Sequence, residues 1–186
     1  MTDENIQIET EFTPNPKSLK FNANRVIIEK GTFSYSKSAE AEKSILAKKL
    51  FQVKGVEGVL IGKDFVTITR GANVGTWAAI IPAVSDTLKD HLLSGEPAVF
   101  SEASNQASGS ESEVEKRIQQ FLDEKIRPAL ARDGGDVTFE SYKDGVVALQ
   151  LRGACSHCPS ATMTLKMGVE RLLREAIPEV KEVVQV

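Results

Sequence analysis

The segment from Gly95 to Ser112 is the feature that most constrains how this chain of 186 residues can fold. After Phe100 it contains no large apolar side chain and consists mostly of Ser, Ala, Gly and Glu. Such a segment cannot bury enough apolar surface to offset the entropy lost on ordering it. We therefore predict a flexible linker over 95–112, joining two small domains, 1–94 and 113–186, that reorient freely.

Residues 1–94 carry the pattern of a domain that mixes helices and strands. A short strand is predicted at 26–28, and a helix around 45–50 is capped by Ser38 or a neighbouring serine. Two β-rich runs, 56–61 and 65–70, flank a turn sequence and predict a hairpin. A helix over 76–93 is predicted to place His91 on its solvent side. Its apolar face comprises Trp77, Ile80, Ile81, Val84, Leu88 and Leu92.

Residues 113–186 predict the element order α-β-β-α-β. The first helix is kinked or restarted at Pro128 and stops at the turn 133–136, Asp-Gly-Gly-Asp. Strands at 137–142 and 146–151 form a hairpin, and a helix over 159–176 leads to a last strand at 180–186. Because a helix connects them, the last strand should run parallel to a hairpin strand. The predicted fold class is α+β for both domains.

Cys155 and Cys158, the only cysteines in the chain, lie between the second hairpin strand and the following helix. They are too close in sequence to join distant segments, which favours a reducing, intracellular environment and a metal or redox role. Pro159 suits the first position of a helix, so both sulfurs should lie near a helix N-terminus, where thiolates are stabilised. His157 lies between them and is interpreted as a solvated loop residue.

The spacing of the pair leaves several kinds of chemistry open. A closed zinc site or a typical iron–sulfur cluster needs four ligands, which two chains could supply across a twofold axis. The alternatives are therefore a dimer-bridging structural zinc, a shared cluster, or a thioredoxin-like dithiol oxidoreductase. The thioredoxin fold needs two strands and a helix after the cysteine helix, and only ten residues follow Ala176.

Composition and charge argue against other classes of partner. The net charge of −3 gives no sign of a nucleic-acid-binding protein. The chain begins with acidic residues and no apolar h-region, and its longest apolar run, 77–84, is far short of the ~20 residues that span a bilayer. We predict a cytoplasmic protein with no membrane or nucleic-acid partner.

Several motifs resemble a known family, the Nfu/NifU iron–sulfur cluster carriers. The stretches 127–130 (Arg-Pro-Ala-Leu), 133–137 (Asp-Gly-Gly-Asp-Val) and 153–160 (Gly-Ala-Cys-Ser-His-Cys-Pro-Ser) closely resemble the NifU C-terminal domain. The stretches 13–21, 50–56 and 64–70, together with Trp77, resemble the Nfu N-terminal domain. The resemblance covers nearly the whole chain outside the linker.

The resemblance implies a carrier, not an enzyme, that binds a 4Fe-4S cluster between two monomers through Cys155 and Cys158. The implied partners are a second copy of the chain, an upstream cluster-assembly scaffold, and the apo iron–sulfur proteins that receive the cluster. The domain 1–94, which has no cysteine, is expected to recognise clients or partners. The turn 133–136 matches the family pattern and is interpreted as structural. We expect neither a ferredoxin-like cysteine-rich domain nor a transit peptide, a form that resembles a bacterial housekeeping carrier.

Overall fold

The computed structural model describes residues 5–71, 76–100, 112–156 and 159–186, with only the backbone for 159–166. The chain divides into two compact units, Met1–Glu102 and Ala103–Val186. Both units combine helices with a sheet, which confirms the predicted α+β class. No helix in these ranges combines the length and apolar character needed to cross a membrane.

The first unit is built on a five-stranded antiparallel sheet in the order β1-β2-β5-β4-β3. Its elements are β1 (Ile8–Phe12), β2 (Ser18–Ala23), β3 (Phe33–Tyr35), a 3-10 helix (Ser38–Lys43), α1 (Ile45–Phe51), β4 (Val56–Ile61), β5 (Phe65–Arg70) and α2 (Trp77–Ser94). The predicted hairpin of β4 and β5 and the predicted helix α2 are confirmed. The sequence pattern left β1, β2 and β3 unassigned.

Alternation along the central strands explains the core of this unit. Successive strand residues point to opposite faces, so one face of the sheet carries a continuous apolar surface. That surface packs with the apolar residues of α1 and α2 in one buried cluster. Its members from the strands include Leu19, Phe21, Val59, Ile61, Val66 and Ile68, and those from the helices include Leu46, Leu50, Ile80, Val84 and Leu88.

The predicted strand at 26–28 is wrong. The backbone N–H groups of Ile27 and Ile28 both donate to the carbonyl of Lys63, at 2.6 and 3.3 Å, in the turn between β4 and β5. Ile28 is buried in the core. The β-branched residues therefore anchor a loop by packing, and no ladder of strand hydrogen bonds forms around them.

The predicted exposure of His91 is also wrong, because His91 is 2% exposed. It continues the buried stripe of α2 formed by Ile80, Val84 and Leu88, at the spacing that keeps residues on one helix face. Leu92, assigned to the apolar face from the sequence, is only half-buried. The helix therefore buries a polar ring that a hydropathy pattern places outside.

The first part of the predicted linker is ordered against the first unit. Gly95 ends α2 with a φ of 67°, the left-handed conformation that favours glycine at a helix C-terminus. Beyond it Ala98 is buried, and the N–H of Phe100 donates to the carbonyl of Lys43 at 2.9 Å. Residues 95–100 thus differ from the flexible tether expected for them. Residues 101–111 lie outside the described ranges, so the flexible linker and the roles of the two domains stay predictions.

The second unit contains the predicted order α-β-β-α-β. Its elements are α3 (Glu113–Phe121), a π-helical turn (Leu122–Ile126), α4 (Arg127–Arg132), β6 (Gly135–Lys143), β7 (Val146–Gly153), α5 (Pro159–Ala176) and β8 (Glu182–Gln185). β6 pairs with β7 in antiparallel orientation, and β8 pairs with β7 in parallel, as predicted. The two-residue turn between β6 and β7 has positive φ at Asp144 (56°) and Gly145 (90°), as hairpin turns favour.

The predicted kink or restart of the helix near Pro128 is a π-helical turn. Proline has no N–H to continue a helical ladder, and the chain accommodates it by a π-helical turn over Leu122–Ile126, just before α4. Ile118, Leu122 and Ile126 remain buried across this irregular turn. They pack with Val137, Val147 and Leu149 of the hairpin and Leu173 of α5.

Candidate metal centre

The loop that carries the cysteine pair begins at the end of β7 and is tied to the start of β6. Gly153 has a φ of 65°, a left-handed conformation that a side chain would strain. The N–H of Ala154 donates to the carbonyl of Gly134 at 3.1 Å. Both the N–H and the hydroxyl of Ser156 donate to the carbonyl of Gly153, at 3.2 and 2.8 Å. These contacts define a compact turn over 153–156, which we call the cysteine turn.

Cys155 points into the protein from this turn. It is 4% exposed and belongs to the buried core of the second unit. Gly135 lies directly against it: a methyl group at Gly135 would overlap the Cys155 sulfur and lie 3.1 Å from its Cβ. The same methyl group would lie 3.2 Å from the carbonyl oxygen of Arg152. The absence of a side chain at Gly135 therefore makes the space that Cys155 occupies.

The two glycines of the Asp-Gly-Gly-Asp motif have different roles. Gly134 has a φ of 72°, which a turn explains, as predicted for this motif. Gly135 is the first residue of β6 and is required for close packing against Cys155. The sequence interpretation missed this contact. The turn explains only one of the two adjacent glycines. The other, Gly135, is the signal in the sequence that could have indicated this contact.

Charged residues surround the start of β6. Asp136 is 2% exposed, and its Oδ1 lies 3.8 Å from Nε of Arg127. The same Nε lies 3.1 Å from Oδ1 of Asp123, one helical turn earlier. Arg127 thus links the exposed Asp123 to the buried Asp136, whose neighbour Gly135 packs on Cys155. Across the hairpin Arg152 stands opposite Asp136.

The structure places only one of the two predicted ligands. Cys158 and His157 lie outside the described residues, and α5 begins at Pro159, as predicted. Within the described ranges, no three His, Cys, Asp or Glu side chains are grouped to hold a metal ion. The joint role of Cys155 and Cys158 as ligands therefore stays a prediction.

Comparison with known proteins gives the family. Residues 8–95 match the family described as "Scaffold protein Nfu/NifU N terminal", and residues 118–184 match the "NifU-like domain". The human protein named "NFU1 iron-sulfur cluster scaffold homolog, mitochondrial" is 41% identical over 181 residues, 96% of this chain and 71% of its own length. The chain belongs to the Nfu family of NifU-like scaffold proteins.

Other relatives of this Nfu chain extend the comparison. The protein with the same name from Drosophila willistoni is 43% identical over 184 residues, and this chain spans 63% of its length. A solution structure of a NifU-like protein from Saccharomyces cerevisiae is 30% identical, with a TM-score of 0.48, and covers 55% of this chain and 92% of its own. The named family confirms the resemblance drawn from the motifs. Because the human and fruit-fly relatives are named mitochondrial, the predicted cytoplasmic location stays a prediction.

Proposed function

We propose that this Nfu protein carries a 4Fe-4S cluster between two protomers, held by Cys155 and Cys158 of each, and transfers it to apo-proteins. The observation that carries the proposal is the position of both cysteines at the junction of β7 and α5 within the NifU-like domain. Since the chain has only these two thiols, four thiolates on one cluster require a second copy. The relatives named as iron–sulfur cluster scaffolds support this role.

The chemistry of delivery follows from ligation by two chains. An acceptor thiolate that binds a cluster iron displaces one carrier thiolate, so ligands are exchanged and no electron need be transferred. Because the cluster is the main link between the two protomers, the dimer dissociates when the last carrier thiolate leaves the cluster. The site can therefore deliver the cluster without a catalytic group, and the donor would be an upstream assembly scaffold.

Reconstitution tests this function against its two rivals. The purified protein is treated anaerobically with iron and sulfide, after which iron, sulfide, zinc, visible absorption and mass are measured. The proposal requires a coloured dimer with about four irons and four sulfides per two chains. Stoichiometric zinc that does not exchange would indicate a structural zinc dimer, and a colourless monomer that cycles between dithiol and disulfide would indicate an oxidoreductase.

Matched variants test the ligand set. Cys155→Ser and Cys158→Ser should each abolish cluster binding, because each removes two of the four thiolates of the dimer. His157→Ala keeps both thiols and should bind the cluster like the wild type. Full cluster retention in either cysteine variant would refute ligation by two residues from each chain.

Transfer and the role of the first unit need a second experiment. Loaded protein is mixed with an apo-protein that has a vacant 4Fe-4S site, and cluster gain by the acceptor is compared with cluster loss by the carrier.

We further propose that the unit Met1–Glu102 binds clients while the linker raises the effective concentration of the cluster domain. Inserting about thirty Gly and Ser residues within 101–111 should then slow transfer to clients several-fold without changing cluster loading, because effective concentration falls as a spanning linker lengthens. Equal transfer rates would contradict the tethering role.

A further inference from the structure

The position of Cys155 conflicts with direct ligation of a shared cluster. A metal–sulfur bond is about 2.3 Å long, so an iron bound to the Cys155 sulfur must occupy space immediately beside it. In the structure that space is protein, because Cys155 is 4% exposed and packs in the core. An iron that also binds a second protomer must lie outside both cores.

We propose that the cysteine turn is a latch that holds Cys155 inside the core of the protomer and must swing outward before Cys155 can ligate a cluster. The inference rests on the proposed function and adds the step that controls it. Gly135 is the seat of the latch, because only a residue without a side chain leaves room for the sulfur there.

The cysteine turn lies at the open end of the β6–β7 hairpin, beside the terminal pair of the ladder, Gly135 and Gly153. The N–H of Ala154 also donates to the carbonyl of Gly134, the residue before β6. Gly153, with its left-handed backbone, lies at the end of β7 and can act as the hinge. The rest of the hairpin stays paired by its ladder when the turn moves, so opening the latch need not unfold the unit.

The latch gives a carrier two useful properties. While closed, it keeps the thiol of Cys155 away from oxidants, whose attack depends on exposure. During delivery, the return of Cys155 to its core position competes with its bond to iron and favours release. The closed position weakens binding of the cluster by the same factor, so the latch makes the site labile.

Thiol reactivity measures the latch without any iron. In Cys158→Ser the only thiol is Cys155, and its rate of reaction with a colorimetric aromatic disulfide is compared in native protein and in denaturant. The latch predicts a native rate at least roughly tenfold slower, since only the open fraction reacts. Equal rates in the two conditions would overturn the proposal.

A second substitution tests Gly135 as the seat. Gly135→Ala in the Cys158→Ser background should displace the turn and raise the native reaction rate several-fold towards the denatured value. Gly168→Ala is the matched control, because a methyl group at Gly168 in α5 meets nothing within 4 Å. If Gly135→Ala folds and its native reaction rate is unchanged, Gly135 does not hold the Cys155 sulfur in its buried position. If circular dichroism shows that Gly135→Ala does not fold, the latch is tested only by the reaction rates of Cys158→Ser in native protein and in denaturant.

The two proposals can fail separately. If wild-type protein binds a cluster but native Cys155 reacts as fast as denatured Cys155, the latch is wrong and the carrier function stands. If native Cys155 is protected but wild-type protein assembles no cluster, the proposed function is wrong, and with it the role of the latch in loading.

Discussion

The hydroxyl of Ser44 donates a 2.6 Å hydrogen bond to the carbonyl of Ala98, 54 residues later in the chain. The same oxygen accepts from the N–H of Ala47 at 3.0 Å and caps α1. One buried serine therefore both starts a helix and holds the 95–100 segment on the first unit. The N–H of Leu46 also reaches the Ala98 carbonyl, at 3.4 Å.

Ser44→Ala should destabilise the first unit by roughly 1–3 kcal/mol, because it removes a helix cap and one hydrogen bond to a buried carbonyl. Urea unfolding of the full chain, followed by the fluorescence of Trp77, measures this change. Ser38→Ala is the control: Ser38 is exposed and lies inside the 3-10 helix, so its loss should cost far less. Equal losses would contradict the double role of Ser44.

Asp136→Ala should destabilise the second unit by roughly 1–3 kcal/mol, because it deprives the partly buried Arg127 of its buried partner carboxylate. Asp123→Ala removes the exposed partner of the same arginine and should cost no more than about 0.5 kcal/mol. Thermal unfolding of both variants measures the difference. A larger loss from Asp123→Ala would show that the buried carboxylate is not the main partner.

His91 should make the first unit less stable as the solution is acidified. Burial is the main cause that lowers the pKa of His91 in the folded protein, and the nearby Lys49 lowers it further, while Glu96 opposes them. The unfolded chain, with a histidine pKa of about 6.5, then binds a proton that the folded chain does not. Stability is therefore complete above about pH 6.5 and falls below it, until the pH reaches the lower folded pKa.

His91→Leu should remove this part of the pH dependence, because leucine does not bind a proton. The substitution breaks no hydrogen bond at Nδ1, which is buried and has no hydrogen-bond partner among the described residues. Unfolding curves of wild type and variant between about pH 7 and 5 give the difference that belongs to His91. The carboxylates whose pKa values are lowered, Glu11, Glu96 and Glu179, are present in both proteins and largely cancel. Parallel curves would show that His91 does not resist protonation.

Gly145→Ala should destabilise the β6–β7 hairpin by roughly 1–2 kcal/mol, because Gly145 has a φ of 90° in the turn. Gly168→Ala makes the same chemical change inside α5, where there is open space, and should stabilise the protein by about 0.5–1 kcal/mol. Chemical denaturation distinguishes the two signs. A neutral Gly145→Ala would mean that the turn relaxes to a different type.

The sequence correctly predicted the elements whose signals lie within the element itself or in the turn beside it. The hairpin of β6 and β7 has a turn sequence between two apolar runs, and α5 has Pro159 at its first position, so both were predictable. The strand predicted at 26–28 was wrong because its β-branched residues are explained by a distant contact with Lys63. The position of His91 depends on which face of α2 meets the sheet, and a polar ring gives no hydropathy signal for that.

The sequence by itself determined that this is a two-domain α+β chain with its only thiols at one strand-to-helix junction. These properties follow from composition, periodicity and spacing, which are local. Only the tertiary structure decided that Cys155 faces inward against Gly135, that residues 95–100 belong to the first unit, and that Asp136 is buried beside Arg127. Each of these contacts joins residues from separate elements, so each exists only when packing brings those elements together.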